Sequence, residues 1–190
     1  MSDGMALKIA IDLIHVPSQV RLRRSEPLPD GVHILLRIAA GEDRAESTAV
    51  TLTGRSRDVV RQAATFFIEQ ILFAPDADSY RVLGAEPQAS AGELRRNVAL
   101  LLRWLHPDMD PEGERAIFIG RVTAAWNDLK TPERRAAHDK ALSSAEQNRF
   151  RRGRKNRSRR RSAGRHPSGV DALGFFRRAL SVIFDRPLVR

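Results

Sequence analysis

The chain has no cysteine, which removes disulfides, thiolate-ligated zinc and thiol nucleophiles at once. It has no apolar run near the ~20 residues that a membrane-spanning helix needs. Its N-terminus lacks a cationic segment leading into a long apolar stretch, so a cytoplasmic location is expected, with peripheral attachment as the one membrane option. No Gly-rich phosphate loop is present. His15, His33, His138 and His166 show neither Glu-x-x-His nor His-x-x-x-His spacing, so no metal, no cofactor and no hydrolytic site is expected, and the chain does not read as an enzyme. There is no internal repeat.

What is present is unevenly charged. Of 33 Lys and Arg, ten fall between Arg149 and Arg165, namely Arg149, Arg151, Arg152, Arg154, Lys155, Arg157, Arg159, Arg160, Arg161 and Arg165. No Asp or Glu lies among them. The rest of the chain is balanced, 23 basic against 23 acidic side chains, so the sequence pI of 11.2 is a property of this tail. With 190 residues, 42% of them hydrophobic, the remainder can form one or two small domains of modest stability.

Residues 5–16 mix alternation with clustering and fit either a strand or a short helix. Val16–Pro29 contains three prolines and four charged residues and reads as an extended arm, so residues 1–29 form an N-terminal arm without a core of its own. A helical extension over 30–77 follows. Val32, Leu35, Leu36 and Ala39 recur at helical spacing, with Gly41 as the residue that ends the helix. A longer helix is capped by Ser56, carries Val59, Val60, Ala63, Phe67, Ile71 and Leu72 on one face, and is stopped by Pro75.

Residues 78–142 make the third region. Leu94, Val98, Leu101, Leu102 and Leu105 form one apolar stripe, and Ile119, Val122, Trp126 and Leu129 form another. Two such helices, joined by about a dozen residues, predict an antiparallel hairpin, with Val82 and Leu83 closing one end. Thr131-Pro132 starts a last short helix. Residues 143–168 are polar, Arg-rich and expected to be disordered. Residues 169–190 place Val170, Leu173, Phe176, Leu180, Ile183 and Phe184 among Arg177, Arg178, Asp185 and Arg186, which predicts a short amphipathic helix. The fold class expected is therefore all-α.

The joining segment contains His106-Pro107-Asp108. Proline biases its predecessor away from the helical region, so His106 should leave the helix and the tripeptide should sit on a loop. It has company. Asp78-Ser79-Tyr80-Arg81-Val82-Leu83-Gly84-Ala85 precedes it, Ala125-Trp126-Asn127-Asp128-Leu129 follows about twenty residues later, and Pro132 to Asp139 closes the series. In this order the motifs resemble the J-domain, the DnaJ-like module that regulates DnaK-type chaperones, in its simplified class without Gly/Phe-rich or zinc modules.

The resemblance implies a four-helix module that docks on a DnaK-type ATPase chaperone and stimulates its ATP hydrolysis. Asp108 would supply a carboxylate to a chaperone arginine, Pro107 would fix the loop, His106 would orient it, and Arg95, Arg96 and Arg103 would meet acidic groups. One departure stands out. Where the family has a tyrosine followed by two basic or polar residues, this chain has Val98, Ala99 and Leu100, so the basic face is thinner. Leu100 and Trp104 would lie uncovered by the hairpin alone, and the residue 30–74 helices are expected to cover part of that face. Trp104 and Trp126 read as packing residues. The tail leaves three readings open: a solubilising segment, a sequence-independent nucleic-acid binder, or an anionic-membrane anchor at ~1 kcal/mol per nearby cation. The alternative function is an interaction protein that does not stimulate a chaperone and acts through this tail.

Overall fold

The computed structural model describes residues 3–110, 112–145 and 147. Residues 1–141 form one compact unit and residues 142–190 a second. The residues described are all-α, as the periodicities require; among them there is no strand. The disordered segment expected from residue 143 is a correction at its start: residues 143–145 and 147 are helical, because each further residue of a formed helix adds one backbone bond. The calls on residues 148–190 lie outside the described residues.

The first unit begins with helix α1 (Asp3–His15), which buries Ala6, Leu7, Ala10 and Leu13. The ambiguity over residues 5–16 thus resolves as helix, because the clustered apolar residues fall on one helical face. The extended arm expected over Val16–Pro29 is a correction: Pro17–Gln19 forms a 3-10 turn and α2 spans Val20–Ser25. Its prolines lie outside the helix, where none removes an interior hydrogen bond. Long-range contacts then hold α2 in place. The Arg81 guanidinium donates to the carbonyls of Arg23 and Glu26 at 2.8 to 3.0 Å, and Arg24 donates to the Gln70 carbonyl at 2.8 Å.

Helix α3 (Val32–Ala39) is the most buried of the N-terminal elements, and Gly41 takes φ +74° where the chain turns away. Next comes α4 (Asp43–Thr53), a helix the apolar pattern did not announce. Its inward residues are Ala45, Glu46 and Ala49, and the fully buried Glu46 meets the Arg61 guanidinium at 2.5 and 2.8 Å. Ser56 caps α5 (Arg57–Phe67), accepting from the Val59 amide at 3.4 Å. The helix then widens into a π-turn over Ile68–Leu72, closed by a Phe73 amide to Ile68 carbonyl bond of 2.9 Å.

The remaining elements are α6 (Ser79–Val82), α7 (Ala91–Trp104), a 3-10 segment Glu114–Phe118, α8 (Ile119–Leu129) and α9, helical over residues 132–145. The hairpin of α7 and α8 buries Leu94, Val98, Leu101 and Leu105 against Val122, Ala125 and Leu129. Three stripe residues differ from expectation. Leu102 and Ile119 are exposed and Trp126 is half-buried, with Ala125 taking the inward place, since helical rotation over a short contact favours the small residue at closest approach.

The N-terminal helices and the hairpin share one core. Gly84, at φ +61°, sits so close to α3 and the π-turn that an added Cβ would lie 3.1 Å from Val32 and 3.3 Å from Leu36 and Leu72. Buried Asn97 fastens the same turn to α7, donating to the Leu83 and Gly84 carbonyls at 3.0 and 3.2 Å. From the other side, Arg121 donates to the carbonyls of Phe73 and Ala74, both at 2.6 Å, and so caps the end of the π-turn.

Candidate functional site

Helix α7 ends as the sequence requires, at Trp104 with Leu105 as its cap, and His106-Pro107-Asp108 follows as an exposed turn. The turn is closed by backbone bonds from the Met109 and Asp110 amides to the His106 carbonyl, at 2.8 and 3.1 Å. His106 Nδ1 lies 3.3 Å from the Asp108 amide and 3.4 Å from Asp108 Oδ2. One nitrogen cannot serve both. A neutral ring accepts from the amide, whereas a protonated ring donates to the carboxylate. Both side chains are well exposed, so this pairing contributes little stability and leaves the Asp108 carboxylate accessible to a partner's cation.

Arg95, Arg96 and Arg103 are exposed on α7, and none of them forms an ion pair among the described residues. The structure divides them. Arg96 and Arg103, with Ala99 and Leu100 between them, form one wall of a groove of about 880 Å³ whose other wall carries His33 and Arg37; Arg95 does not line it. Arg37 is engaged with Glu42 at 2.7 Å. Leu100 is half-buried at this groove, while Trp104 is buried and packed on Phe73, ring centres 6.0 Å apart. The N-terminal helices therefore meet the apolar centre of this face that the hairpin alone would leave open.

The opening and closing motifs meet at one edge. The buried Tyr80 hydroxyl donates to Asp139 Oδ1 at 2.7 Å and accepts from Arg135 Nε at 2.9 Å, and His138 stands edge-on to its ring. Burial pushes the Tyr80 phenol pKa up, and the bond to Asp139 adds to the rise. Ser79 Oγ donates to Asp128 at 2.7 Å, which ties the start of the series to Ala125-Trp126-Asn127-Asp128-Leu129. These motif residues thus hold the hairpin shut and leave the His-Pro-Asp turn outside.

Residues that sequence reasoning missed surround that turn. Asp110 is buried and accepts from the Arg115 amide at 2.7 Å, while the Arg115 guanidinium reaches the Met109 carbonyl at 3.2 Å and lies 5.0 Å over the Trp104 ring. No local pattern around Arg115 marks it. Its role comes from the approach of chain segments distant in sequence. Among the described residues no group of three or more His, Asp or Glu could hold a metal ion, and no helix is long and apolar enough to cross a membrane.

An all-α hairpin that presents His-Pro-Asp between its helices, closed by Tyr80 on the last helix, is the arrangement of a J-domain. Comparison with known proteins agrees. The chain is similar to the chaperone protein DnaJ of Tropheryma whipplei (strain Twist), 41% identical over 66 residues, which are 35% of this chain and 18% of that protein. It is similar to DnaJ of Leifsonia xyli subsp. xyli, 37% identical over 68 residues, 36% of this chain and 18% of that one. With DnaJ of Oceanobacillus iheyensis the figures are 34% over 62 residues, 33% and 16%. The chain thus spans less than a fifth of the length of these curated relatives. No protein-family model and no solved structure matches it. Over that segment the chain is similar to DnaJ chaperones, and the helical structure there fits a J-domain.

Proposed function

We propose that the protein is a cochaperone that docks on a DnaK-type chaperone and stimulates its ATP hydrolysis, with residues 78–142 as the J-domain and the helices of 30–77 as part of the same working module. The observation that carries this reading is the exposed His106-Pro107-Asp108 turn at the end of a helix whose Arg96 and Arg103 are unpaired among the described residues. A carboxylate held on a proline-restricted turn can make a charge-assisted bond to a partner's arginine, and the flanking cations orient the encounter with an acidic surface. Acceleration then occurs at the chaperone's nucleotide site, with His106, Pro107 and Asp108 as docking residues and none of them a catalyst.

Single-turnover ATP hydrolysis by a DnaK-type chaperone tests the proposal. Wild-type protein is expected to accelerate the turnover, and Asp108→Asn, which removes charge with little change in shape, is expected to abolish the effect. Absence of stimulation by the wild type overturns it.

A second reading rests on the ten cations between Arg149 and Arg165 and the apolar residues that follow them. In this reading the tail carries the protein to an anionic membrane surface. Co-flotation with phosphatidylserine vesicles that is lost on deleting 149–165 supports it; binding to nucleic acid with no flotation replaces it.

A further inference from the structure

The turn that bears His106-Pro107-Asp108 does not rest on the hairpin alone. Its C-terminal side is gripped by Arg115 at two points, through the amide bond to Asp110 Oδ2 (2.7 Å) and the guanidinium bond to the Met109 carbonyl (3.2 Å). The same guanidinium approaches Glu69 Oε1 at 3.9 Å. Glu69 belongs to the π-turn at the end of α5, and such a turn rotates the residues it contains relative to a regular helix. A neighbouring contact runs parallel to this one: Met109 lies against Gly41 at the end of α3, its methyl 3.0 Å from where a Cβ would stand.

The surroundings of Arg115 are built to hold it. Phe73, directly after the π-turn, packs on Trp104 and on Phe118 with ring centres 6.0 and 4.7 Å apart, and Arg115 lies over the Trp104 ring. The guanidinium therefore bridges the end of α7, the turn and the N-terminal helices. Burial raises the pKa of Glu69, Glu114 and Asp110 raise it further, and only Arg115 opposes them, so the ionised form is disfavoured in the folded protein. Arg115 is thus the one group that favours the Glu69 carboxylate, and the 3.9 Å approach places the two side chains against each other.

We propose that Arg115 is a positioning residue that hangs the His106–Asp108 turn on the N-terminal helices, with Glu69 and Gly41 as the points of attachment. The proposal rests on the cochaperone reading above and adds to it a requirement for helices outside the J-domain motifs. The N-terminal helices then act on the chaperone through the shape of the turn.

The test uses the full chain with Arg115→Met, which removes the guanidinium and keeps the backbone bond to Asp110, and with Arg115→Lys and Glu69→Gln. Two readouts are taken. The first, amide hydrogen exchange at Met109 and Asp110, needs no chaperone; Arg115→Met is expected to speed it by about tenfold. The second is the chaperone's ATP turnover titrated with each variant: Arg115→Met is expected to lower the maximal stimulation about fivefold at an unchanged half-saturating concentration, Arg115→Lys to recover part of it, and Glu69→Gln to give a smaller loss in the same direction. Wild-type exchange in Arg115→Met overturns the proposal. So does a raised half-saturating concentration with the maximum intact, which would make Arg115 a contact residue. Should Arg115→Met not fold, Glu69→Gln decides, and wild-type values in both readouts overturn the idea. If wild-type protein does not stimulate at all, the cochaperone reading fails, while the exchange measurement still tells whether Arg115 holds the turn.

Discussion

Tyr80 and Asp139, 59 positions apart, are joined by a hydrogen bond of 2.7 Å from the phenol to the carboxylate, and this bond closes the four-helix region at the edge away from the His-Pro-Asp turn. Tyr80 is the only tyrosine in the chain, so its titration can be read without interference. Because burial and the bond to Asp139 raise its pKa, the phenolate should form above the usual tyrosine value of 10.0. The sign follows: the folded state holds this proton more tightly than the unfolded state, so the stabilisation is complete below the ordinary value and is lost as pH climbs through the raised one. An ultraviolet phenolate titration checks this, with an unshifted midpoint as the contrary result. Tyr80→Phe is expected to cost about 1–2 kcal/mol in urea denaturation, since it strips the hydroxyl from both Asp139 and Arg135.

Gly84 packs tightly against the N-terminal helices. A methyl group there meets Val32, Leu36 and Leu72 at 3.1 to 3.3 Å while the backbone stays at φ +61°. Gly84→Ala should therefore lose about 2–3 kcal/mol, combining overpacking with left-handed strain. Gly54→Ala provides the control: it shares the positive φ, has nothing within 4 Å, and should lose only about 1 kcal/mol. Equal losses in urea denaturation would show that the contact with α3 contributes nothing.

Trp104 is fully buried, yet its indole N–H has no hydrogen-bond partner among the described residues. Its contribution is area and shape. Trp104→Phe is expected to cost less than ~1.5 kcal/mol, because lost volume is partly offset by removal of an unpaired donor, whereas Trp104→Ala should cost about 3–5 kcal/mol. Denaturation midpoints of the two variants settle the comparison. The alanine variant should also loosen the turn, since Arg115 lies over this ring.

Glu69 makes a pH prediction of the opposite kind to a salt-bridged carboxylate. Its folded pKa is raised by burial and by Glu114 and Asp110, against the pull of Arg115. The folded protein thus binds the proton more tightly than the unfolded chain, and this contribution is complete below the ordinary value of 4.5 and is lost as pH rises through the raised one. Stability of the wild type minus that of Glu69→Gln should accordingly fall with rising pH over that window. A difference that is flat or rises with pH would contradict it.

Much of this molecule is legible along the chain. Residues whose signal is local were readable because their chemistry acts over one turn: Ser56 and Thr131 as caps, Gly41 at a helix end, the spacing that puts Leu94, Val98, Leu101 and Leu105 on one face, and proline forcing His106 out of the helix. Other features had no local signal. Helix α4 turns Ala45, Glu46 and Ala49 inward, so hydrophobic periodicity is nearly silent there. Helix α2 lies between prolines and gains its anchors from Arg81 and Gln70, dozens of residues away.

The amino-acid sequence by itself determined the all-α class, the hairpin and an exposed turn bearing an imidazole, a proline and a carboxylate, since short-range sterics and periodic burial suffice for these. Only the tertiary structure decided that α3 and the π-turn pack on Gly84 and Trp104, that Arg96 and Arg103 share a groove with His33, and that Arg115 joins the turn to Glu69. Such relationships depend on where distant segments come to rest when they bury apolar area together, and no short window of sequence contains that information.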